Sequence, residues 1–207
     1  MEKVIFHHLK VGHLGTNCYV FGDAVSREVI VIDPGGRAGE IRDLLDAEKV
    51  QVTAIVNTHG HFDHVGANKR LHKMTGAPIW IHQADTHLPK SGLVGFLGEI
   101  AKYEKAQSYL VDGQEIQLGA LNIKVLHTPG HTPGGICLYC GNYLFSGDTL
   151  FRLSIGRTDL PGGSSTALLS SIKEKLLILP EAVQVFPGHG SFTTIGEEKR
   201  KNPYLRN

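Results

Sequence analysis

Thr58-His59-Gly60-His61-Phe62-Asp63-His64 follows an apolar run, Ala54-Ile55-Val56, and packs four metal-capable side chains into six residues. His59 and His61 stand two apart, so on an extended segment both leave the same side and can grip one ion. Asp63 and His64 are adjacent and fall where a helix is expected to begin, a turn that aims them at a second ion beside the first. The stretch reads as one wall of a binuclear metal site.

Imidazole and carboxylate donors suit zinc, iron or manganese, and an ion needs about four donors, so further ligands must come from distant parts of the chain. Three candidates stand out. His131 lies in Thr128-Pro129-Gly130-His131-Thr132-Pro133-Gly134, Asp148 in Leu144-Phe145-Ser146-Gly147-Asp148-Thr149, and His189 in Phe186-Pro187-Gly188-His189-Gly190. Each follows a glycine at the end of an apolar, strand-like run. Loops at strand ends are where a rigid sheet presents ligands to a common point.

In order and type these seven positions resemble the signature of the metallo-β-lactamase superfamily: His-x-His-x-Asp-His, then a distant His, a bridging Asp and a final His. The resemblance spans residues 59 to 189. It implies an α/β fold of four layers, an αββα sandwich. It also implies that His59, His61 and His131 hold one metal, that Asp63, His64 and His189 hold the other, and that Asp148 bridges both.

The remaining histidines lack such company. His7, His8, His13, His72, His82, His87 and His127 read as surface or hydrogen-bonded core residues, with His127, four residues before His131, a candidate outer partner of the site. Cys18, Cys137 and Cys140 make an odd count, unsuited to a disulfide framework. The spacing Cys137-Leu-Tyr-Cys140 mimics a redox motif, but on a strand residues three apart face opposite sides.

At 207 residues the chain is expected to form one hydrolase domain, 1–207. No apolar run approaches the ~18 to 20 residues that span a bilayer, and Met1-Glu2-Lys3-Val4-Ile5-Phe6 lacks the features of a signal peptide, so a cytoplasmic protein with no membrane partner is expected. Net charge is +1 with no long basic run, which offers no footprint for nucleic acid and demotes the nuclease branch.

Periodicity places strands near 3–8, 17–22, 28–32, 53–56, 78–82, 108–111, 115–118, 121–126, 136–140, 143–146 and 183–186, and helices near 38–48, 64–75 and 165–178. By itself this shows only a mixed α/β chain. In 85–107, Leu93, Phe96, Leu97, Ile100 and Tyr103 recur at helical intervals behind Pro89, Gly92, Gly95 and Gly98. The segment reads as an amphipathic helix, either a lid over the site or an element packed on the core.

Two divalent ions outweigh the charges of Asp63, Asp148 and one hydroxide, so an anionic substrate is favoured. Water between two metals has its pKa lowered to about 7 or less, and hydrolysis follows without an activated Ser or Cys. In true metallo-β-lactamases the position of Asp148 is usually Cys or Ser. An Asp there looks more like glyoxalase II, lactonases, persulfide dioxygenases or nucleases. Gly147-Asp148-Thr149-Leu150-Phe151-Arg152, the run Gly156-Arg157-Thr158-Asp159-Leu160-Pro161-Gly162-Gly163, and the tail from Thr194 to Pro203 resemble compact bacterial glyoxalase II-like hydrolases.

That resemblance implies a thioester hydrolase acting on S-lactoylglutathione or a related thiol ester, with two divalent metals, zinc foremost and iron or manganese as alternatives. Arg157 matches a basic position of the family and is the candidate anchor for a substrate carboxylate; its other role is an ion pair with Asp159. The helical extension that grips glutathione in the longer enzymes would begin where this sequence ends. Weak contacts to the thiol part are expected, with Lys199, Arg200 and Lys201 as substitutes or as a solvated helix face. The alternative is a persulfide dioxygenase, similar through Gly156-Arg157-Thr158-Asp159 and using a single iron on His59, His131 and Asp148, although Leu160 to Gly163 departs from that family. A non-catalytic metal-binding module is the third reading.

Overall fold

Strand β1 (Val4–Val11) forms one edge of a sheet, and β2 (Thr16–Asp23) beside it is buried along its whole length. The side chains of β2 divide by parity: Tyr19 and Phe21 enter one core, Cys18 and Val20 another. A strand buried on both faces belongs to the interior of a layered stack. The computed structural model, which describes residues 3–86 and 106–206, shows that stack.

The first sheet continues from β2 through β3 (Glu28–Ile32), β4 (Gln51–Val56), β5 (Ile79–His82) and β6 (Ser108–Leu110), in that spatial order. Pairing is antiparallel as far as β3 and parallel from β3 to β6. The second sheet begins with β7 (Glu115–Leu118), β8 (Leu121–His127), β9 (Ile136–Cys140) and β10 (Tyr143–Gly147). A small hairpin, β11 (Leu150–Phe151) and β12 (Ser154–Ile155), follows. The second sheet then resumes with β13 (Gln184–Pro187), parallel to β10, and β14 (Thr193–Thr194) at its edge.

Three apolar clusters define four layers. Between the sheets, Tyr19, Phe21, Ile30 and Val56 meet Ile123, Leu138, Phe145 and Phe186. On the outer face of the first sheet, Val20, Val31 and Ile55 pack under Ile41 and Leu45 of α1 (Ala38–Glu48) and Leu71 of the helix Asn68–Thr75. On the outer face of the second, Leu126, Cys137, Leu144 and Val185 lie under Leu168 and Ile172, whose helix Ser165–Ser171 runs into a wider π turn, Ile172–Leu176, and under Ile195 of the helix Ile195–Lys201. This is the αββα arrangement. Cys137 belongs to the outer cluster and Cys140 to the inner one, on opposite faces of β9 as strand geometry requires.

The structure departs from the sequence expectations in detail. The helix expected over 64–75 is two pieces, α2 (Phe62–Val65) and α3 (Asn68–Thr75). The break falls at Ala67, whose N–H leaves the helical ladder to donate to the Pro34 carbonyl at 2.8 Å. Strands β11, β12 and β14 are two residues long, too short for a period of two to register. The amphipathic helix expected over 85–107 lies, apart from its ends, outside the described residues. No helix among the described residues is long and apolar enough to cross a membrane.

Phe145 is fully buried between the sheets, with its ring 5.4 Å from that of Phe186 and 5.1 Å from that of Tyr19. Phe145→Ala is expected to lower the unfolding free energy by about 3–5 kcal/mol in urea denaturation; a loss below about 1 kcal/mol would show that this layer is not the core.

Candidate metal centre

The seven candidate ligands come from loops that follow strand ends. Past β4 the chain runs through Asn57 and Thr58 to His59 and His61, and α2 then carries Asp63 and His64. The loop after β8 brings His131, the end of β10 Asp148, and the end of β13 His189. The donor atoms of His59, His61 and His131 lie within 4.8 Å of one another, and so do those of Asp63, His64 and His189. Asp148 faces both groups. Its Oδ1 is 3.5 Å from His64 Nε2, while its Oδ2 is 3.6 Å from His131 Nε2 and 3.8 Å from His189 Nε2.

Outer partners set which nitrogen points inward. His64 Nδ1 is 2.9 Å from Asp33 Oδ2, and His131 Nδ1 is 2.7 Å from the Arg157 carbonyl, so each ring keeps its Nε2 lone pair for the centre. His59 Nδ1 meets Thr58 Oγ1 at 3.1 Å. Asp63 Oδ2 accepts from Thr16 Oγ1 at 3.2 Å and lies 3.1 Å from His189 Nε2. The His189 loop is held from β2, where Asn17 Nδ2 donates to the Pro187 and Gly190 carbonyls at 2.9 and 3.1 Å and Tyr19 Oη donates to the Pro187 carbonyl at 2.6 Å. Gly188 is a glycine of necessity, since a Cβ there would collide with Asp148 Oδ1 and come within 2.7 Å of His64 Cε1.

The donor set fits metal ions. Among the described residues, His59 Nε2 and Asp148 Oδ1 are buried without a hydrogen-bond partner, a costly state unless a cation completes it. His64 Nε2 and His189 Nε2 are 3.2 Å apart, and His131 Nε2 and His61 Nδ1 are 3.0 Å apart, so ring nitrogens converge on the centre from both sides. Burial holds His59 well below the usual histidine range, and burial, His131, His64 and the Arg157 charge take His61 to about 3. His64 goes the other way. Burial would lower it, but Asp148, Asp33 and Asp63 together raise it to about 10. Without metal, a proton on His64 supplies the positive charge these carboxylates require.

Two carboxylates absent from the sequence-derived ligand set complete the frame. Asp33 accepts from Thr58 N at 2.7 Å and Thr58 Oγ1 at 2.6 Å as well as meeting His64. Its donor atoms lie within 4.8 Å of those of His59 and His64, a third grouping close enough for an ion, but both its oxygens are engaged by Thr58 and His64, which favours a supporting role. Its signal was present in Val31-Ile32-Asp33-Pro34-Gly35-Gly36, an acid and glycines after an apolar run, as at Asp148. Asp85 accepts from Gly60 N, Thr132 Oγ1 and Gly134 N, and no local pattern marks it.

Other candidates fall outside the cluster. The Arg157 guanidinium is 62% exposed and donates through Nε and Nη2 to Asp159 at 2.7 and 2.6 Å, so the ion pair is formed, while its carbonyl serves His131. The partners found for His127 are not among the candidate ligands. Its ring stacks on His82 with centroids 4.1 Å apart, and its Nε2 is 3.0 Å from the Pro133 carbonyl. His8 pairs with Asn17 and His72 with the Ala77 carbonyl.

With fold and site in hand, the chain belongs to the metallo-beta-lactamase superfamily, whose family model matches residues 11–189. Among its relatives, the hydroxyacylglutathione hydrolase GloC of Haemophilus influenzae is 37% identical over 91% of this chain and 92% of its own. Two solved structures superpose closely. One, described as the BLEG-1 B3 metallo-beta-lactamase, is 38% identical with a TM-score of 0.88 and covers 98% of this chain and 100% of its own. The other, TTHA1623 in a di-iron-bound form, is 37% identical with a TM-score of 0.84 over 96% of this chain and 100% of its own.

The raised His64 value makes a pH prediction for the metal-free chain. Stability from the protonated ring is fully present below the unfolded value of 6.5 and is lost as the pH rises through about 10. Asp33→Asn removes a carboxylate that supports that charge. In scanning fluorimetry with chelator, the parent Tm should therefore fall more steeply between pH 7 and 10 than that of the variant; identical slopes would contradict the assignment.

Proposed function

We propose that this chain is a binuclear metal-dependent hydrolase of small anionic thioesters, of the hydroxyacylglutathione hydrolase kind. The observation that carries this reading is the pair of donor triads facing one shared carboxylate, Asp148. Cys18, Cys137 and Cys140 are all buried, and burial pushes the Cys137 thiol up to about 11 and the Cys18 thiol upward as well. Ser146 is buried with its hydroxyl donating to the Leu150 carbonyl at 2.7 Å. With these thiols buried and this hydroxyl engaged, water is the attacking group of the proposal.

In this reading His59, His61 and His131 would hold one ion, Asp63, His64 and His189 the other, and Asp148 would lie between them. Two divalent ions, zinc foremost or the iron or manganese that the same donors accept, would supply a water of pKa about 7 and a Lewis acid for a thioester carbonyl. Asp33 and the Arg157 carbonyl keep the Nδ1 protons of His64 and His131 in place, and Thr16 orients Asp63. The partly exposed members, His61, Asp63, Asp148 and His189, form the side open to substrate. A thiol with a pKa of about 8.5 leaves readily as thiolate, so no strong general acid is required of the chain.

Arg157 is the proposed anchor for a substrate carboxylate. Its charge reaches His61, which it helps to hold neutral. Its partnership with Asp159 is exposed, and such pairs exchange partners at little cost. The similarity to GloC supports a thioester substrate, and the similarity to BLEG-1 makes a β-lactam the competing one. Convergence of Asp63, His64 and His189 favours two ions over the single-iron dioxygenase set of His59, His131 and Asp148.

The assay is anaerobic thiol release from S-lactoylglutathione with zinc, iron or manganese restored in turn. Asp148→Ala should lower kcat/KM by about 100-fold or more. Arg157→Ala should raise KM by about tenfold with kcat little changed, the mark of lost uniform binding. No thiol release with any metal, together with oxygen consumption on glutathione persulfide, would replace the hydrolase with the dioxygenase. Hydrolysis of a β-lactam in preference to the thioester would overturn the substrate class.

A further inference from the structure

Asp85 closes the 3-10 turn Gln83–Asp85 that follows β5 and is 3% exposed. Its Oδ2 accepts from Gly60 N at 3.0 Å and Thr132 Oγ1 at 2.7 Å, and its Oδ1 accepts from Gly134 N at 2.6 Å. Gly60 sits between His59 and His61, and Thr132 follows His131. One buried side chain therefore fastens together the two loops that supply His59, His61 and His131. None of these three bonds ends on a donor atom of either triad, so the carboxylate acts on the loops and not on an ion. A Cβ at Gly134 would lie 2.6 Å from Asp85 Oδ1, so the glycine is what admits the carboxylate to that loop.

The other triad is held differently. Asp33 supports His64, Thr16 supports Asp63, and Asn17 and Tyr19 secure the loop of His189. We infer that Asp85 is a positioning residue for the His59, His61 and His131 site alone, and that its hydrogen bonds set the affinity of that site for its ion. The inference rests on the two-ion reading above. Asp33 holds the first loop at Thr58, the Arg157 carbonyl holds His131, and Ile136 N donates to the Thr58 carbonyl at 2.8 Å. The three Asp85 bonds, however, are the side-chain ties that join Gly60 directly to Thr132 and Gly134, and fixing that distance before an ion arrives removes the cost of finding it on binding.

Single-site backgrounds separate the two triads. His189→Ala cripples the second and His61→Ala the first, and zinc affinity is measured in each by competition with a chromophoric chelator. Asp85→Asn turns an acceptor into a donor opposite one of its partners, and Thr132→Val removes a single hydroxyl, so one of the two remains informative if the other fails to fold. In the His189→Ala background either change should raise the zinc Kd by about 10- to 100-fold, and in the His61→Ala background it should leave the Kd unchanged. Equal rises in both backgrounds would mean general loosening of the fold, and no rise in the first would mean that the loops hold their geometry unaided; either result overturns the inference. A chain that binds zinc in neither background overturns the two-ion reading itself, and the role of Asp85 with it.

Discussion

The Asp148 carboxylate presents one oxygen to His64 at 3.5 Å and the other to His131 at 3.6 Å, and the rest of the site is arranged around that double contact. A buried carboxylate oxygen with no hydrogen-bond donor is unfavourable in a protein interior. Here it is accompanied by a His59 nitrogen in the same condition and by imidazole nitrogens that close to within 3.2 Å of one another. Positive charge inside the constellation relieves that cost. Asp148, Asp33 and Asp63 raise His64 toward its charged form, and metal ions would supply more of that charge.

The fold makes the constellation affordable by holding it from behind. Each sheet contributes two apolar faces to the stack, so the strands are fixed by burial on both sides and their ends are rigid platforms. Polar side chains then fasten the loops: Asp33 for Thr58 and His64, Asp85 for the loops at Gly60 and Thr132, Asn17 and Tyr19 for the segment that ends at His189. These groups carry no obvious chemistry of their own. Their effect is that the candidate ligands are held close together by the fold itself.

The candidate ligands were legible in the sequence because metal coordination restricts residue type, and His59 through His64 cluster densely enough to read without a structure. The layers were legible through resemblance more than through periodicity, since β2 and β3 are buried on both faces and so lack the alternation that marks a half-buried strand. The break between α2 and α3 was hidden because it depends on one N–H finding a carbonyl in a loop about thirty residues earlier in the chain. Asp33 announced itself weakly through the glycines that follow it. Asp85 did not announce itself at all, because its importance lies in three donors from two distant loops, a relation that exists only after folding. The role of Arg157 is divided, with a side chain at the rim and a carbonyl that fixes His131, and sequence pointed only to the side chain.

If two ions sit on either side of Asp148, one within each triad, anomalous diffraction from crystals of the metal-loaded chain, collected above and below the absorption edge of the metal, will locate both. Two peaks are expected, one among His59, His61 and His131 and one among Asp63, His64 and His189, with Asp148 between them. A single peak in a fully active crystal, or peaks held by other residues, would contradict the two-ion reading.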